Sequence, residues 1–276
     1  HADAHILDKL HSIRVRNLTL RSAGYEHVDL IKAKELEMNV SYVPDYSPYS
    51  IAEHAVTLMM AMNRQLMQAY RNIVDHDFRV DSLMGFDMKG KTVGIIGTGK
   101  IGKISAKILH GFGCRLLGYD IEEDPDIFGK YGLAYVSLDE LCRQSDIISI
   151  HCPLTEQTRY MIDKEKMALM KKNVMLVNTA RGGIINTLDL IEHLQSGHIG
   201  YAALDVYEKE KGLFFYDHSN KVLQDEMFTR LMSFKNVLIT CHQAFLTREA
   251  LNNIAETTIY NLDCFEKNIP SKYSLT

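Results

Sequence analysis

The sequence predicts an α/β protein: a doubly wound parallel sheet with a second, smaller α/β domain built from both ends of the chain. Three observations carry this. Short β-rich runs alternate with helical patterns along the chain, the pattern of parallel strands joined by helical crossovers. The runs Val93 to Ile96, Ile147 to Ile150 and Val174 to Val177 are apolar without alternation, as strands are when helices cover both faces of their sheet. The length of 276 residues, at roughly 150 residues per domain, suggests two domains.

The elements follow in order. The chain opens at His1, without a methionine, directly in a helical pattern of Ile6, Leu7 and Leu10, as a fragment or a processed chain would. β-Rich runs at Asn17 to Ser22 and Val40 to Pro44 come next. Ser50 with Glu53 three residues on forms a capping box. Ile51, Ala55, Leu58, Met59, Met62, Leu66 and Ile73 then keep helical spacing, which predicts one helix of about 24 residues and roughly 36 Å. Methionines at 59, 60, 62 and 67 make it apolar over a wide arc, suited to core or to a subunit interface. Strands are predicted at Lys91 to Gly97, Arg115 to Asp120, Asp146 to Pro153, Asn173 to Ala180, Tyr201 to Val206 and Asn236 to His242. These suit one doubly wound domain over residues 79–247, leaving 1–78 and 248–276 for the smaller one. The latter ends in a helix from Thr247 to Lys267 with Leu251, Ile254, Ala255, Thr258, Leu262 and Phe265 on one face.

Composition excludes several functions. Lysine and arginine number 31 against 35 acids, a net charge of −4 with no strongly basic stretch, which argues against nucleic acid as a partner. The densest apolar run, Ala55 to Met62, falls far short of the roughly 18 residues of a membrane span. The five cysteines are widely spaced with no CxxC pair, and read as reduced thiols of a cytoplasmic protein. No His/Cys cluster has metal-ligand spacing and no HExxH occurs, so no metal is expected.

Gly97-Thr98-Gly99-Lys100-Ile101-Gly102 follows a predicted strand and opens a predicted helix, the context that makes GxGxxG a dinucleotide site. The first glycine permits the tight turn, the second lets a pyrophosphate approach the backbone, and the third lets helix and strand pack closely. The next strand ends at Asp120, 18 residues beyond Gly102, where an acid takes the ribose hydroxyls. Glu122, Glu123, Asp124 and Asp126 follow, with no arginine or lysine until Lys130. A 2′-phosphate would meet repulsion, so the reading is NAD rather than NADP.

In an open α/β sheet, ligands bind beyond the carboxyl ends of the strands. Three such ends carry reactive groups: Arg181 after Asn173 to Ala180, Glu208 and Glu210 after Tyr201 to Val206, and Cys241 with His242 in the last run. An arginine, a carboxylate and a histidine suit one small anionic substrate. Hydride delivery to a carbonyl requires a proton for the developing alkoxide, which a histidine can supply. A carboxylate beside it favours imidazolium, and arginine holds a carboxylate bidentately. A 2-keto acid fits this set; spacing does not choose between Glu208 and Glu210.

The segments LRSAGYEHVDL, VPDYSPYSIAEHAV, GKTVGIIGTGKIG, DIISIHCPLTEQT, VNTARGGIINT, LDVYEKEKGLFFYDHS and VLITCHQAF make the sequence resemble the D-isomer-specific 2-hydroxyacid dehydrogenases over essentially its whole length. LFFYDHS points within that family to the fermentative D-lactate dehydrogenases. The resemblance implies NAD-dependent reduction of pyruvate to D-lactate, with Arg181 binding substrate, Glu210 paired with the histidine, and His242 as acid/base. It implies cofactor contacts at Gly97, Gly99, Lys100, Ile101, Gly102, Asp120, Cys152, Pro153, Thr158, Thr179, Ala180 and Asp205. Substrate contacts are implied at the backbone amides of Ala23 and Gly24, with Tyr46 and Phe245 near the pocket. It further implies a homo-oligomer, a dimer or a dimer of dimers, with Ser50 to Asp75 forming much of the contact. Two features depart from the family pattern. An amino-terminal segment of about one βαβ unit, roughly 30 or more residues, is lacking, and Cys241 stands where many relatives have proline. Two other readings compete: reduction of another 2-keto acid within the family, and an NAD-sensing scaffold resembling the C-terminal binding protein corepressors.

Overall fold

Two parallel sheets organise residues 2–276, the part of the chain that the computed structural model describes. The small sheet pairs β1 (Asn17–Thr19) with β2 (Asn39–Ser41). The large one contains β3 (Thr92–Ile96), β4 (Arg115–Tyr119), β5 (Ala134–Tyr135), β6 (Ile147–Ile150), β7 (Val174–Asn178), β8 (Ile199–Leu204) and β9 (Val237–Ile239). Its order is β5-β4-β3-β6-β7-β8-β9, parallel throughout. The chain builds outward from β3 through β4 to β5, then returns to the other side of β3 with β6. That reversal is the switch point at which doubly wound sheets open a crevice.

Alternate residues of these strands feed two apolar clusters. Ile96, Ile148, Ile150, Leu176, Ala202 and Leu204 lie in one; Val93, Ile95, Ile147, Met175, Val177 and Ala203 lie in the other. Period-two alternation with both faces buried explains why these strands read as continuous apolar runs. β5, only two residues long and paired to β4 at the sheet edge, has too little apolar sequence to register as a strand beforehand.

The chain divides into two compact units, residues 1–50 with 245–276, and residues 51–244. The expected boundaries at 78 and 248 shift for a physical reason: Ala55, Val56, Leu58, Met59 and Met62 are buried in the cluster of the larger sheet, against Val93, Ile95 and Leu109. The smaller unit has its own cluster, including Leu7, Leu20, Val28, Ala33, Met38 and Val40, and the helix Arg248–Glu266 capped by Thr247.

The long helix expected from Ser50 onward differs in two ways. It begins at Pro48, a residue pre-set for the first helical position, with the Ser47 hydroxyl accepting from Ser50 N at 3.3 Å. Ser50 therefore lies inside the first turn and is not the cap. The helix also stops at Asn63. The buried Asn63 side chain donates to Phe86 O and accepts from Phe86 N, both at 2.8 Å, and a Cβ on Gly85 would lie 2.5 Å from Asn63 O. Gln65 turns left-handed at φ 47°, and a separate helix runs Leu66–Val74. This buried backbone pairing overrides a periodicity that itself continues unbroken.

Candidate active site

The register sets Tyr119, Ile96, Ile150, Asn178, Leu204 and Ile239 level across the sheet. The residues one step beyond, Asp120, Gly97, His151, Thr179, Asp205 and Thr240, thus form a ledge along the carboxyl edge. It is stitched by Gly97 N to Tyr119 O at 2.8 Å, His151 N to Ile96 O at 2.7 Å, Asp205 N to Asn178 O at 2.9 Å and Thr240 N to Leu204 O at 2.9 Å.

At the switch point each of three glycines has its own constraint. Gly97 is left-handed at φ 89°, and a Cβ there would sit 2.5 Å from Cys152 N. A Cβ on Gly102 would run into the carbonyl oxygen of Gly97. Gly99 is different: a Cβ would meet nothing within 4 Å, and no side chain caps the helix Lys100–Gly111 that it begins. The first turn of that helix, which Lys100 and Ile101 open, is where backbone N–H groups suit an anion. This is a cradle that a pyrophosphate fits. Thr179 Oγ1 and His151 Nδ1 on the ledge are buried polar atoms without a hydrogen-bond partner, which also suits a site that a ligand completes.

Asp120 accepts from Thr98 N at 2.5 Å and Thr98 Oγ1 at 3.1 Å through Oδ2, and from Glu122 N at 3.2 Å through Oδ1. Its carboxylate is held against the glycine loop with spare acceptor capacity. Sequence order hid one cation: Lys103, on the glycine-loop helix, forms an ion pair with Asp124. That hydrogen-bonded pairing holds Asp124 below the usual carboxylate range and raises Lys103. Lys103 is thus neutralised, and the acidic character beside the glycine loop stands.

On the other side of the crevice, Arg181 is three residues beyond Asn178 and His242 three beyond Ile239, so the level strand ends bring both to one edge. Asn178 braces the first loop: its side chain donates to Arg181 O at 2.9 Å and accepts from Ala180 N at 3.0 Å. Gly182 is required because a Cβ there would collide with the backbone of Tyr207 and Glu208. His242 Nδ1 lies 2.9 Å from Glu210 Oε1, both side chains nearly three-tenths exposed. The structure therefore chooses Glu210 as the histidine's partner, while Glu208 keeps a buried, unpartnered Oε2. His242 itself is left-handed at φ 53°, a backbone state costing about 1 to 3 kcal/mol outside glycine.

Asp205 takes a role the resemblance did not imply. It is 0% exposed, and its carboxylate accepts from Thr240 Oγ1 at 2.5 Å, Gln243 N at 2.9 Å and Ala244 N at 2.9 Å. His54 Nε2 lies 3.4 Å from it. Burial raises its pKa, but these hydrogen bonds outweigh that and keep it below the usual carboxylate range. The fully enclosed side chain organises the loop carrying His242. His54 and His151 carried no sequence signal beyond their positions, one on an apolar helix and one ending an apolar strand. His151 bonds Ser149 at 2.9 Å, and burial pushes its pKa down to about 4, so it is neutral.

The other implied residues fall as follows. Burial raises the Cys152 thiol to about 11, which makes it an uncharged wall beside Gly97. Thr158 donates to Pro153 O at 2.7 Å and accepts from Thr155 N at 2.7 Å, closing the turn that follows β6. In the smaller unit, Ser22 Oγ donates to Gly24 O at 2.7 Å, fixing the segment with Ala23 and Gly24 beyond β1. There Tyr46 and Phe245 pack edge to face, centroids 6.2 Å apart.

The chain is similar to known proteins in both sequence and fold. The family model described as D-isomer specific 2-hydroxyacid dehydrogenase, NAD binding domain, matches residues 56–244. A D-lactate dehydrogenase of Curvularia clavata is 45% identical over 273 residues, 99% of this chain and 78% of that protein. A solved pyruvate reductase of Chlamydomonas reinhardtii superposes with a TM-score of 0.93 at 45% identity, covering 98% of this chain and 81% of the other. A D-lactate dehydrogenase of Aquifex aeolicus, solved in complex with NAD and lactic acid, superposes with a TM-score of 0.87 at 33% identity, covering 97% and 80%.

Proposed function

Since the chain belongs to the D-isomer-specific 2-hydroxyacid dehydrogenases and is an NAD-dependent oxidoreductase of 2-hydroxy acids, we propose that its reaction is the reduction of pyruvate to D-lactate. The observation that carries this reading is the His242–Glu210 pair at 2.9 Å on the same sheet edge as Arg181 and the glycine cradle. NADH, when bound, supplies the hydride. Lys100 and Ile101 would offer backbone N–H groups to its pyrophosphate and Asp120 would accept from its ribose hydroxyls. Arg181 holds the substrate carboxylate with its two-pronged guanidinium. His242 gives its proton to the oxygen that becomes the hydroxyl, while Glu210, against Nδ1, sets which nitrogen faces the substrate. Arg181 offers one guanidinium to one carboxylate, which suits a monocarboxylic 2-keto acid. Oxidation of NADH followed against a panel of 2-keto acids tests this; a clear preference for a longer or branched acid would move the assignment to another reductase of the family.

The cofactor choice is testable apart from the substrate. The parent is expected to use NADH much more efficiently than NADPH, because Asp120 repels a 2′-phosphate, and Asp120→Asn is expected to narrow the ratio of kcat/KM values about tenfold, the equivalent of about 1.4 kcal/mol. Equal use of both cofactors by the parent would remove Asp120 from this role.

We further propose that a second copy covers the segment 66–84. Met59 and Met62, suited by sequence to core or to an interface, are buried within the chain's own core, whereas Tyr70, Phe78, Val80 and Met84 are each at least 70% exposed. Apolar exposure on that scale marks an association surface. Carboxylates in place of Phe78 and Val80 are expected to halve the mass found by light scattering, and a monomeric parent would refute the idea.

A further inference from the structure

His242 is held in its left-handed turn from behind. Its N–H donates to Asp205 O at 2.7 Å, and the Asp205 carboxylate grips the residues on either side, Thr240 through its hydroxyl and Gln243 and Ala244 through their N–H groups. The turn from Thr240 to Ala244 is wrapped around one buried carboxylate. A side chain from outside the turn reaches this cluster. His54, on the helix Pro48–Asn63, places Nε2 3.2 Å from Thr240 Oγ1 and 3.4 Å from Asp205 Oδ1, with only 16% of its side chain exposed. Two histidine–carboxylate pairs thus share one loop: His242 with Glu210 at the crevice, and His54 with Asp205 beneath it.

We propose that His54 is a positioning residue for the reaction: by donating from Nε2 to the Asp205–Thr240 pair it fixes the turn that aims the imidazole of His242. The physical case rests on what Asp205 would otherwise do. A carboxylate enclosed to this degree must have its acceptor capacity filled, and it can swing to satisfy itself if a donor is withdrawn. Thr240 Oγ1 already donates to Oδ1, so the hydroxyl has no second proton and its remaining capacity is to accept. The N–H of His54 fits both oxygens, locking the hydroxyl's direction and closing the side of the cluster that faces the helix. A rotation of Asp205 would release Gln243 N and Ala244 N together, and the strained backbone of His242 lies between Thr240 and those two groups.

The inference rests on the assignment of His242 as the acid, and the experiment keeps the two apart. Parent, His54→Leu, His54→Gln and Thr240→Val are compared by kcat and KM for pyruvate, by Kd for NADH, and by the primary isotope effect with deuterated NADH. His54→Leu is expected to lower kcat about 10- to 100-fold, the usual effect of losing a residue that orients a reactive one, with the Kd for NADH unchanged and the isotope effect increased as hydride transfer becomes limiting. His54→Gln keeps an N–H at nearly the same reach and is expected to recover most of the loss. Thr240→Val, similar in volume, removes the bridging hydroxyl and serves if the leucine variant does not fold; it is expected to show the same drop in kcat and the same increase in isotope effect. A kcat for His54→Leu or Thr240→Val within about twofold of the parent, or a glutamine variant as impaired as the leucine one, would overturn the role of His54. A parent that reduces no 2-keto acid would instead overturn the substrate reading on which it rests.

Discussion

Replacing His242 with asparagine is expected to lower kcat/KM for pyruvate about 100- to 10,000-fold, the range for loss of a positioned general acid, while NADH binds as before. Asparagine is the informative choice because it tolerates the left-handed backbone that His242 adopts at φ 53°; the turn survives and only the proton donor goes. A companion measurement ties the acid to its partner. Glu210 Oε1, 2.9 Å from Nδ1, holds the ring by one nitrogen and leaves the other for the substrate. Glu210→Gln removes the carboxylate and keeps a hydrogen-bonding side chain, and is expected to lower kcat/KM for pyruvate about 10- to 100-fold with NADH affinity unchanged. A glutamine variant as efficient as the parent, with hydride transfer shown to be rate-limiting, would detach Glu210 from His242.

Arg181→Lys is expected to remove about 2 to 4 kcal/mol of transition-state stabilisation, roughly 30- to 1,000-fold in kcat/KM, again without loss of NADH affinity. Lysine preserves the charge but cannot reproduce two parallel N–H bonds to a carboxylate. The loop should not confuse the result. Asn178 holds the backbone at Ala180 and Arg181 through both ends of its amide, and Gly182 packs against the backbone of Tyr207 and Glu208, so residue 181 stays where it is. A lysine variant as efficient as the parent would show that Arg181 does not hold the substrate.

Much of this was already legible in the one-dimensional order of residues. The alternation of apolar runs with helical patterns determined a doubly wound parallel sheet, because period and burial follow directly from side-chain chemistry. GxGxxG after a strand, with Asp120 one strand further on, marked where a dinucleotide phosphate and ribose are expected, because that motif is local: its glycines, turn and helix start lie within six neighbouring residues. Arg181, Glu210 and His242 were found as reactive types just past strand ends, but Glu208 and Glu210 were equivalent by spacing. Only the folded loop, which sets Glu210 against His242 and leaves Glu208 Oε2 buried and unpartnered, separates them. Other decisions also belonged to tertiary structure. The break of the long helix at Asn63 depends on a pairing with Phe86, 23 residues away. The neutralisation of Lys103 needs Asp124 from beyond the next strand. The clustering of His54, Asp205 and Thr240 spans 186 residues of chain. In each of these the deciding partner is distant in sequence and is brought close only by packing, and a hydrogen bond between such residues leaves no periodicity to be read beforehand.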